Sequence, residues 1–452
     1  MINLFEYQNK ESYPGSFDEM ESFLDEIWKR RERSPHFYTE DEDKRIEEQR
    51  FIQFLHKHKQ IKSNKYVGVI CFGDQKINLL PKIFYDPERN YSDTDLESMH
   101  SHILWWLSYC RKIRFPNYST SLGKKKSDFF EVLIYLFSKY TRELLSSSIF
   151  QQYEEVNREL TFIKGRLNTA RYIDENLSKG RWHKMHCTYD SFEMDNTFNR
   201  IIKFVATQLF SITKNQNNKT YLREILFILD EVSDERATAE DCANIKFNPM
   251  FGEFETVRDY CHLFLSNSIS FSYKNELKLF AFLLPMEYVF EDFVFGFIEK
   301  EIRDVSAKAQ SNSLHLDTDK NFRLRPDLVL DINGHKVIAD TKYKIVYTDE
   351  SDPKKGITQT DLYQMLAYAV RFEVDDVILF YPNTIKNYNP STSELFIHDR
   401  LAGDKKVRIR VYQLPIVNVD MFEGKVKSGE SLEKMFSETR LLLKERLGEL
   451  LM

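Results

Sequence analysis

The chain has 452 residues, which is too long for one compact hydrophobic core and suits two or three domains. Hydrophobic residues make up 42% and charged residues 30%, and the 14 glycines and 12 prolines are too few for a low-complexity or disordered chain. The net charge of −6 excludes a surface that attracts DNA over its whole area, so any DNA contact must be local or supplied by a partner.

The first residues, 1–60, predict a charged helical N-terminal extension. The charged run at 40–45 leads into apolar residues that include Ile46, Phe51 and Phe54, a spacing that favours helices with one solvated face. No apolar run of signal-peptide or membrane-spanning length occurs, and the five cysteines lie far apart, as expected of reduced thiols. We therefore expect a cytoplasmic protein that does not bind a membrane.

Residues 61–270 predict a small β element followed by an α-helical middle domain. Short β-type runs at 66–70 and 76–81 flank the turn signal Gly73-Asp74. From about residue 92 to 214, apolar residues recur mainly at helical spacing. Composition then changes near residue 270 to the alternating strands and helices of an α/β domain, predicted for 271–452. The predicted fold class is therefore a multidomain α+β protein.

Within that last domain, a β-hairpin is predicted over residues 325–342. Two β-rich runs flank Asn333 and Gly334, a pair that readily forms a two-residue hairpin turn. Counting outward from this turn places Asp327 opposite Asp340. The hairpin therefore brings two carboxylates together.

The pair Asp327 and Asp340, with Lys342, predicts a metal-dependent phosphodiesterase site. Lys342 shares a face with Asp340 because side chains alternate along a strand, whereas Thr341 is expected to point away and to offer its backbone carbonyl. Opposed carboxylates repel each other, and Mg²⁺ or Mn²⁺ relieves that cost. Such an ion polarises a phosphodiester, and Lys342 would orient or deprotonate the attacking water. For this motif alone, an ordinary surface hairpin with scattered charges stays an alternative.

A helix predicted upstream of the hairpin supplies another carboxylate. Pro285 opens this helix, and Glu287 and Glu291 lie one turn apart beside its apolar stripe. Glu291 is therefore a candidate catalytic residue and metal ligand. A solvated glutamate at this position is the alternative.

A second helix is predicted downstream, over residues 361–369. Its polar stripe, which includes Gln364 and Tyr368, would face the site or run along DNA. Gln364 is therefore a candidate catalytic residue, and Tyr368 and Lys344 are candidate DNA-binding residues.

A weaker metal signal lies in the middle domain, where His183 and His186 precede Cys187. The cluster lacks a second pair of ligands at zinc-site spacing. We therefore expect zinc to be dispensable.

The order of these parts resembles the PD-(D/E)xK nuclease superfamily, and more narrowly the McrC family, the nuclease subunits of McrBC modification-dependent restriction systems. The resemblance covers roughly residues 60–450 and departs from the family pattern at Lys164, where arginine is expected. The matching motifs in the nuclease part are Pro285-Met286-Glu287, Arg325-Pro326-Asp327, Asp340-Thr341-Lys342-Tyr343-Lys344 and Asp361-Leu362-Tyr363-Gln364-Met365 with Ala367-Tyr368. Those outside it include Ile163-Lys164-Gly165-Arg166-Leu167 and Asp195-Asn196 with Asn199-Arg200.

The resemblance implies a Mg²⁺-dependent endodeoxyribonuclease that docks on a hexameric AAA+ GTPase, whose separate domain reads modified DNA. The sequence contains no Gly-x-x-x-x-Gly-Lys-Ser/Thr loop, so another chain would hydrolyse the nucleotide. Residues 61–270 are expected to dock on that partner. Two alternatives stay open: a regulatory activator of the GTPase with vestigial aspartates, and a stand-alone DNA repair nuclease.

Overall fold

The protein is described by a computed structural model in which two compact units are distinguished, Met1–Phe130 with Asn267–Met452, and Glu131–Ser266. The predicted boundary near residue 270 falls close to the end of the second unit. The first unit therefore contains both the N-terminal and the C-terminal segment of the chain. The structure describes residues 2–30, 51–72, 75–111, 129–272, 278–303, 305–309, 314–332, 334–346, 354, 357–387, 392–399, 405–425 and 431–451.

The strands of the described residues follow in chain order. They are β1 (Ile2–Phe5), β2 (Lys10–Ser12), β3 (Ile52–Leu55), β4 (Gln60–Ser63), β5 (Tyr66–Phe72), β6 (Gln75–Leu80), β7 (Gln152–Leu160), β8 (Arg166–Leu167), β9 (Met185–Glu193), β10 (Ser268–Ser272), β11 (Lys278–Pro285), β12 (Val305–Ala309), β13 (Leu328–Ile332), β14 (His335–Thr341), β15 (Asp376–Pro382), β16 (Thr392–Asp399) and β17 (Lys405–Leu414).

The α-helices of the same residues follow in chain order. They are α1 (Phe17–Arg30), α2 (Asp93–Tyr109), α3 (Phe129–Ser147), α4 (Thr169–Arg171), α5 (Thr197–Ile212), α6 (Gln216–Ile228), α7 (Ala239–Asn244), α8 (Glu253–Asn267), α9 (Met286–Glu301), α10 (Gln359–Phe372), α11 (Leu432–Met435) and α12 (Ser437–Leu451). Among the described residues, none of these helices has the length and apolar character needed to cross a membrane. The mixture of helices and sheets confirms the predicted α+β class.

The first unit contains a five-stranded sheet that combines the start of the chain with residues beyond 267. Its strand order is β1-β6-β5-β11-β10, with β1 parallel to β6. Gly68 allows β5 and β11 to lie this close, because a Cβ at that position would come within 1.9 Å of the Phe282 carbonyl oxygen. Helix α1 and the small sheet β2-β4-β3 contribute to an apolar core with this sheet, which includes Trp28, Phe51 and Tyr66.

A six-stranded sheet in the same unit carries the predicted hairpin. Its order is β12-β13-β14-β15-β17-β16, and the central strands β14, β15 and β17 are parallel. Helix α10 packs on this sheet through Met365, Tyr368 and Phe372, which lie in one core with Ile338 and Val377. A buried parallel centre flanked by a helix is the arrangement expected of an α/β domain.

The second unit consists of helices α5 to α8, most of α3, the short α4 and the antiparallel sheet β7-β9-β8. Aromatic rings of Phe150, Phe198 and Phe254 pack against one another at centroid distances of 5.4–5.9 Å. Asn196 and Asn199, two residues of the family motif, donate side-chain hydrogen bonds to the Phe150 carbonyl at 3.1 and 2.8 Å. These asparagines therefore serve the fold of this unit.

Two secondary-structure predictions need correction. The extension 1–60 is not helical throughout, because its described part contains β1, β2 and β3 beside α1; the charged run at 40–45 lies outside the described residues. The middle domain is not helical throughout either, since β7, β8 and β9 interrupt it. These strands are rich in charged residues, which hides the apolar alternation that marks a strand.

Candidate active site

The hairpin of β13 and β14 has the predicted register. Ile332 pairs with His335 and Leu328 with Ala339, and Gly334 adopts a φ of +85°, as a tight turn requires; Asn333 lies outside the described residues. The paired segment ends at Leu328. Asp327 therefore lies before β13, and the alternation of side chains along that strand does not determine where the Asp327 side chain points.

The Asp327 side chain forms hydrogen bonds with Thr341 that were not predicted. Both the backbone N–H and the hydroxyl of Thr341 donate to its Oδ2, at 2.7 Å each. Thr341 was expected to take part through its backbone carbonyl, and these two hydrogen bonds to Asp327 were not predicted, because Asp327 lies outside the pleat and reaches the end of β14. The carboxylate is thereby held next to Asp340 by two donors of the same strand.

Asp340 is a carboxyl group buried among like charges. Its side chain is 1% exposed, and burial, followed by the charge of Asp327, raises its pKa to about 8, although Lys342 opposes the shift. Glu291 on α9 raises this pKa further through its charge. The carboxylates thus repel each other in a site with little access to water.

Lys342 is fixed on two sides. Its Nζ lies 2.5 Å from Oδ2 of Asp340 and donates to Oε1 of Gln364 at 3.0 Å. Burial alone would lower the pKa of Lys342, but Asp340 and Asp327 raise it above its ordinary value. The ammonium is therefore kept charged in a partly buried position.

Helix α10 orients Gln364 through Tyr368. The Gln364 Nε2 donates to the Tyr368 hydroxyl at 2.7 Å, and this hydroxyl donates to the carbonyl of Arg325 at 2.8 Å. Tyr368 is buried, with its hydroxyl used inside the protein. The structure therefore places Tyr368 as a support for Gln364, not on the surface where DNA would contact it.

Lys344 is held by a residue that the sequence did not single out as functional. Its Nζ donates to both carboxylate oxygens of Asp361, at 2.8 and 2.9 Å, and the hydroxyl of Tyr381 donates to the same carboxylate at 3.2 Å. Asp361 is buried in the first turn of α10, after the N-cap Thr358. Its position one turn before Gln364 on the polar stripe was the available signal, whereas nothing in the sequence pointed to Tyr381.

The donor set fits a divalent cation in part. Asp327, Asp340 and the Thr341 carbonyl offer oxygen ligands of the kind that Mg²⁺ prefers, and a cation would offset the repulsion that raises the pKa of Asp340. Among the described residues, the carboxylate oxygens of Glu291, Asp327 and Asp340 do not all lie within 4.8 Å of one another. Glu291 influences Asp340 by charge, and these three carboxylates would have to move closer together to bind the same ion.

Other possible ligand groups are placed differently. In the part of the chain that the structure describes, Asp18, Glu21 and His56 bring three ligand atoms within 4.8 Å, and His56 and Glu21 form an ion pair at 3.0 Å. His183, His186 and Cys187 form no such group, and Nε2 of His186 instead lies 3.2 Å from a Glu175 oxygen.

Comparison with known proteins identifies a matching family and similar solved structures. The family described as McrBC 5-methylcytosine restriction system component matches residues 61–382, which is more than half of the chain. No curated protein matches the chain. A chain of the solved half-complex from the tetradecameric assembly of Thermococcus gammatolerans McrB AAA+ hexamers with bound McrC has 17% identity and a TM-score of 0.68, covering 99% of both chains. A chain of the Thermococcus gammatolerans McrBC complex has 19% identity and a TM-score of 0.48, covering 67% of this chain and 88% of its own.

Proposed function

Because the chain belongs to the family of McrBC 5-methylcytosine restriction system components, we propose that it is the nuclease subunit of such a system. It cuts methylcytosine-containing DNA by Mg²⁺- or Mn²⁺-dependent phosphodiester hydrolysis and stimulates the GTPase of an AAA+ partner. The observation that carries this proposal is the convergence of Asp327, Asp340 and Lys342 at the end of β14. The hairpin, its central sheet and the flanking helices support a domain of the PD-(D/E)xK type.

Asp327, Asp340 and the Thr341 carbonyl would hold the ion. When bound, it would neutralise the carboxylates, polarise the phosphodiester and make the attacking water more acidic. Thr341 keeps the Asp327 carboxylate in place with two hydrogen bonds, so part of the ligand set is oriented in advance. Glu291 would complete the ligand set once the cation offsets its repulsion with Asp340.

Lys342 would act on the water and on the charge that develops during hydrolysis. Its contacts with Asp340 and Gln364 would keep the ammonium group in a fixed position close to the scissile phosphate. A positioned cation stabilises the additional negative charge of the phosphorane-like transition state most strongly where water is excluded. Lys344, with its side chain about half exposed, is available to neutralise a DNA phosphate.

Docking on the partner is assigned to the second unit. Large apolar side chains around its sheet are exposed, with Phe162 at 60%, Ile163 at 62% and Trp182 at 70%. Exposed aromatic side chains of this kind are typical of sites that bind another protein. The Thermococcus gammatolerans assembly contains McrB AAA+ hexamers with bound McrC, and we propose an equivalent partner for this chain.

The test uses full-length protein reconstituted with an McrB-type AAA+ GTPase. Wild-type protein should raise GTP hydrolysis and cut DNA that contains 5-methylcytosine, whereas Asp340→Asn should raise GTP hydrolysis equally and cut nothing. Asp331→Asn, on the exposed part of the same hairpin, is the matched control and should cut normally. Stimulation without cleavage by the wild-type protein would favour the regulatory activator, and efficient cleavage without the partner would favour the stand-alone nuclease.

A further inference from the structure

A buried carboxyl group from the start of the chain lies close to the catalytic strand. Glu6 directly follows β1 and is 1% exposed. Its backbone N–H donates to the Leu80 carbonyl at 2.9 Å, and its Oε2 accepts from the backbone N–H of Lys82 at 3.2 Å. Glu6 precedes the residues that match the family, so the family match gives it no role.

Tyr343 lies against Lys82 on the catalytic side. It follows Lys342 directly, and its ring lies 4.6 Å from Nζ of Lys82 and 5.9 Å from the ring of Phe290, the neighbour of Glu291. The residue after the catalytic lysine is thus packed between Lys82, which follows β6, and helix α9.

The segment after β6 is itself attached to the nuclease sheet. The backbone N–H of Ile385, just beyond β15, donates to the Ile83 carbonyl at 3.0 Å. Nζ of Lys386 lies 2.9 Å from Oδ1 of Asp86. The position of Lys82 is therefore fixed relative to β15, the strand that pairs with the catalytic strand β14.

We propose that Glu6 and Lys82 are positioning residues for DNA cleavage, which fix Tyr343 and, through the adjoining backbone, the placement of Lys342. This inference rests on the proposed nuclease function. Since misplacement of a reacting group by about 1 Å can reduce a rate about a hundredfold, small movements of this backbone would be sufficient to affect catalysis. The first strand then forms part of the active-site support.

The protonation state of Glu6 determines which substitutions are informative. Burial raises its pKa to about 8, although the nearby Lys82 opposes the shift, so the carboxyl group is mostly protonated at neutral pH. Glutamine has the same shape and is neutral, and it should replace Glu6 with little effect. Alanine removes the acceptor for the N–H of Lys82, the residue that lies against the Tyr343 ring.

The experiment compares full-length Glu6→Ala and Glu6→Gln with the AAA+ partner present. Glu6→Ala should lower kcat for DNA cleavage about tenfold while KM for DNA and GTPase stimulation stay unchanged, because only the placement of Lys342 is altered. Glu6→Gln should restore most of the rate. Glu11→Ala, an exposed glutamate on β2, is the control and should cut like the wild type.

Hydrogen exchange supplies a readout that does not depend on cleavage. Amides of residues 341–346 should exchange faster in Glu6→Ala, while those of β17 should be unchanged. Wild-type cleavage together with unchanged exchange would overturn the inference, as would faster exchange throughout both sheets, which would assign Glu6 to general stability. If the wild-type protein cuts no DNA, the proposed function fails, yet the local change in exchange still tests whether Glu6 and Lys82 support Tyr343.

Discussion

The hairpin of β13 and β14 and the sheet of the second unit both break the rule that charged side chains are exposed and apolar ones are buried. The hairpin buries charged groups, whereas the second unit exposes large apolar side chains. At the hairpin, Asp340 is a buried carboxyl group beside Lys342, whereas Trp182 and Phe162 in the second unit are large apolar side chains left mostly exposed. Burying charge and exposing aromatic surface both cost free energy in an isolated chain. This difference supports the proposal that each region is completed by another component: the hairpin by a cation and DNA, and the second unit by a protein partner.

Removal of the metal should have the largest effect, because it removes the ion that would polarise the phosphodiester and acidify the attacking water. We expect no cleavage in EDTA, restoration by Mg²⁺ or Mn²⁺, and none by Ca²⁺, whose looser coordination does not impose the same geometry. Gel assays of DNA cleavage with each ion check this. Stoichiometric zinc in active protein, or full activity in EDTA, would contradict it and direct attention to His183, His186 and Cys187.

Substitutions along the Lys342–Gln364–Tyr368 chain should have graded effects. Lys342→Ala removes the cation at the site, and the cleavage rate should fall about a hundredfold to a thousandfold. Tyr368→Phe removes only the hydroxyl that orients Gln364 and should reduce the rate about tenfold. Single-turnover rates at saturating DNA measure both. Equal losses in the two variants would contradict separate roles for the cation and its support.

Substitutions on the exposed face of the second unit should affect the partner and not the chemistry. The double substitution Phe162→Ala with Trp182→Ala should raise the concentration needed for half-maximal GTPase stimulation about tenfold. Phe227→Ala is a control of the same unit, since Phe227 on α6 is 82% exposed. Unchanged stimulation in the double variant would exclude this face as the docking surface.

The smallest effect concerns stability without metal. Burial and Asp327 raise the pKa of Asp340 from 3.8 to about 8, so between these values the folded chain keeps a proton that the unfolded chain has lost. The free energy of unfolding should therefore decrease as pH rises through this window. Asp340→Asn should lack this contribution and melt about 3 °C above the wild type at pH 8, with a smaller difference at pH 5. The same difference in melting temperature between the two proteins at pH 8 and at pH 5 would contradict a proton retained on Asp340.

The sequence predicted the local parts of the site well, because they depend on short-range rules. The Asn-Gly turn set the register of β13 and β14, and Pro285 marked the start of α9. The family resemblance is confirmed by the match over residues 61–382. The hydrogen bonds from Thr341 to Asp327 were missed because Asp327 lies one residue beyond the paired strand, where alternation no longer applies.

Contacts between distant segments were beyond sequence reasoning. Strand β11 pairs with β5, so residues before 130 and after 267 build one sheet, and no local pattern indicates such a pairing. A fragment ending near residue 270 would lose β11 and leave β5 without this neighbour. The contacts of Lys82 with Glu6 and Tyr343 arise in the same way, from segments far apart in the chain.

The most direct test of the account is a titration of Mn²⁺ into the full-length protein, with bound metal measured for the wild type and for Asp340→Asn. Asp18→Asn serves as the comparison, because Asp18, Glu21 and His56 form the other group of ligand atoms among the described residues. We expect the Mn²⁺ site to be lost in Asp340→Asn and retained in Asp18→Asn. Normal Mn²⁺ binding by Asp340→Asn, with loss of binding in Asp18→Asn, would contradict a metal centre at the hairpin.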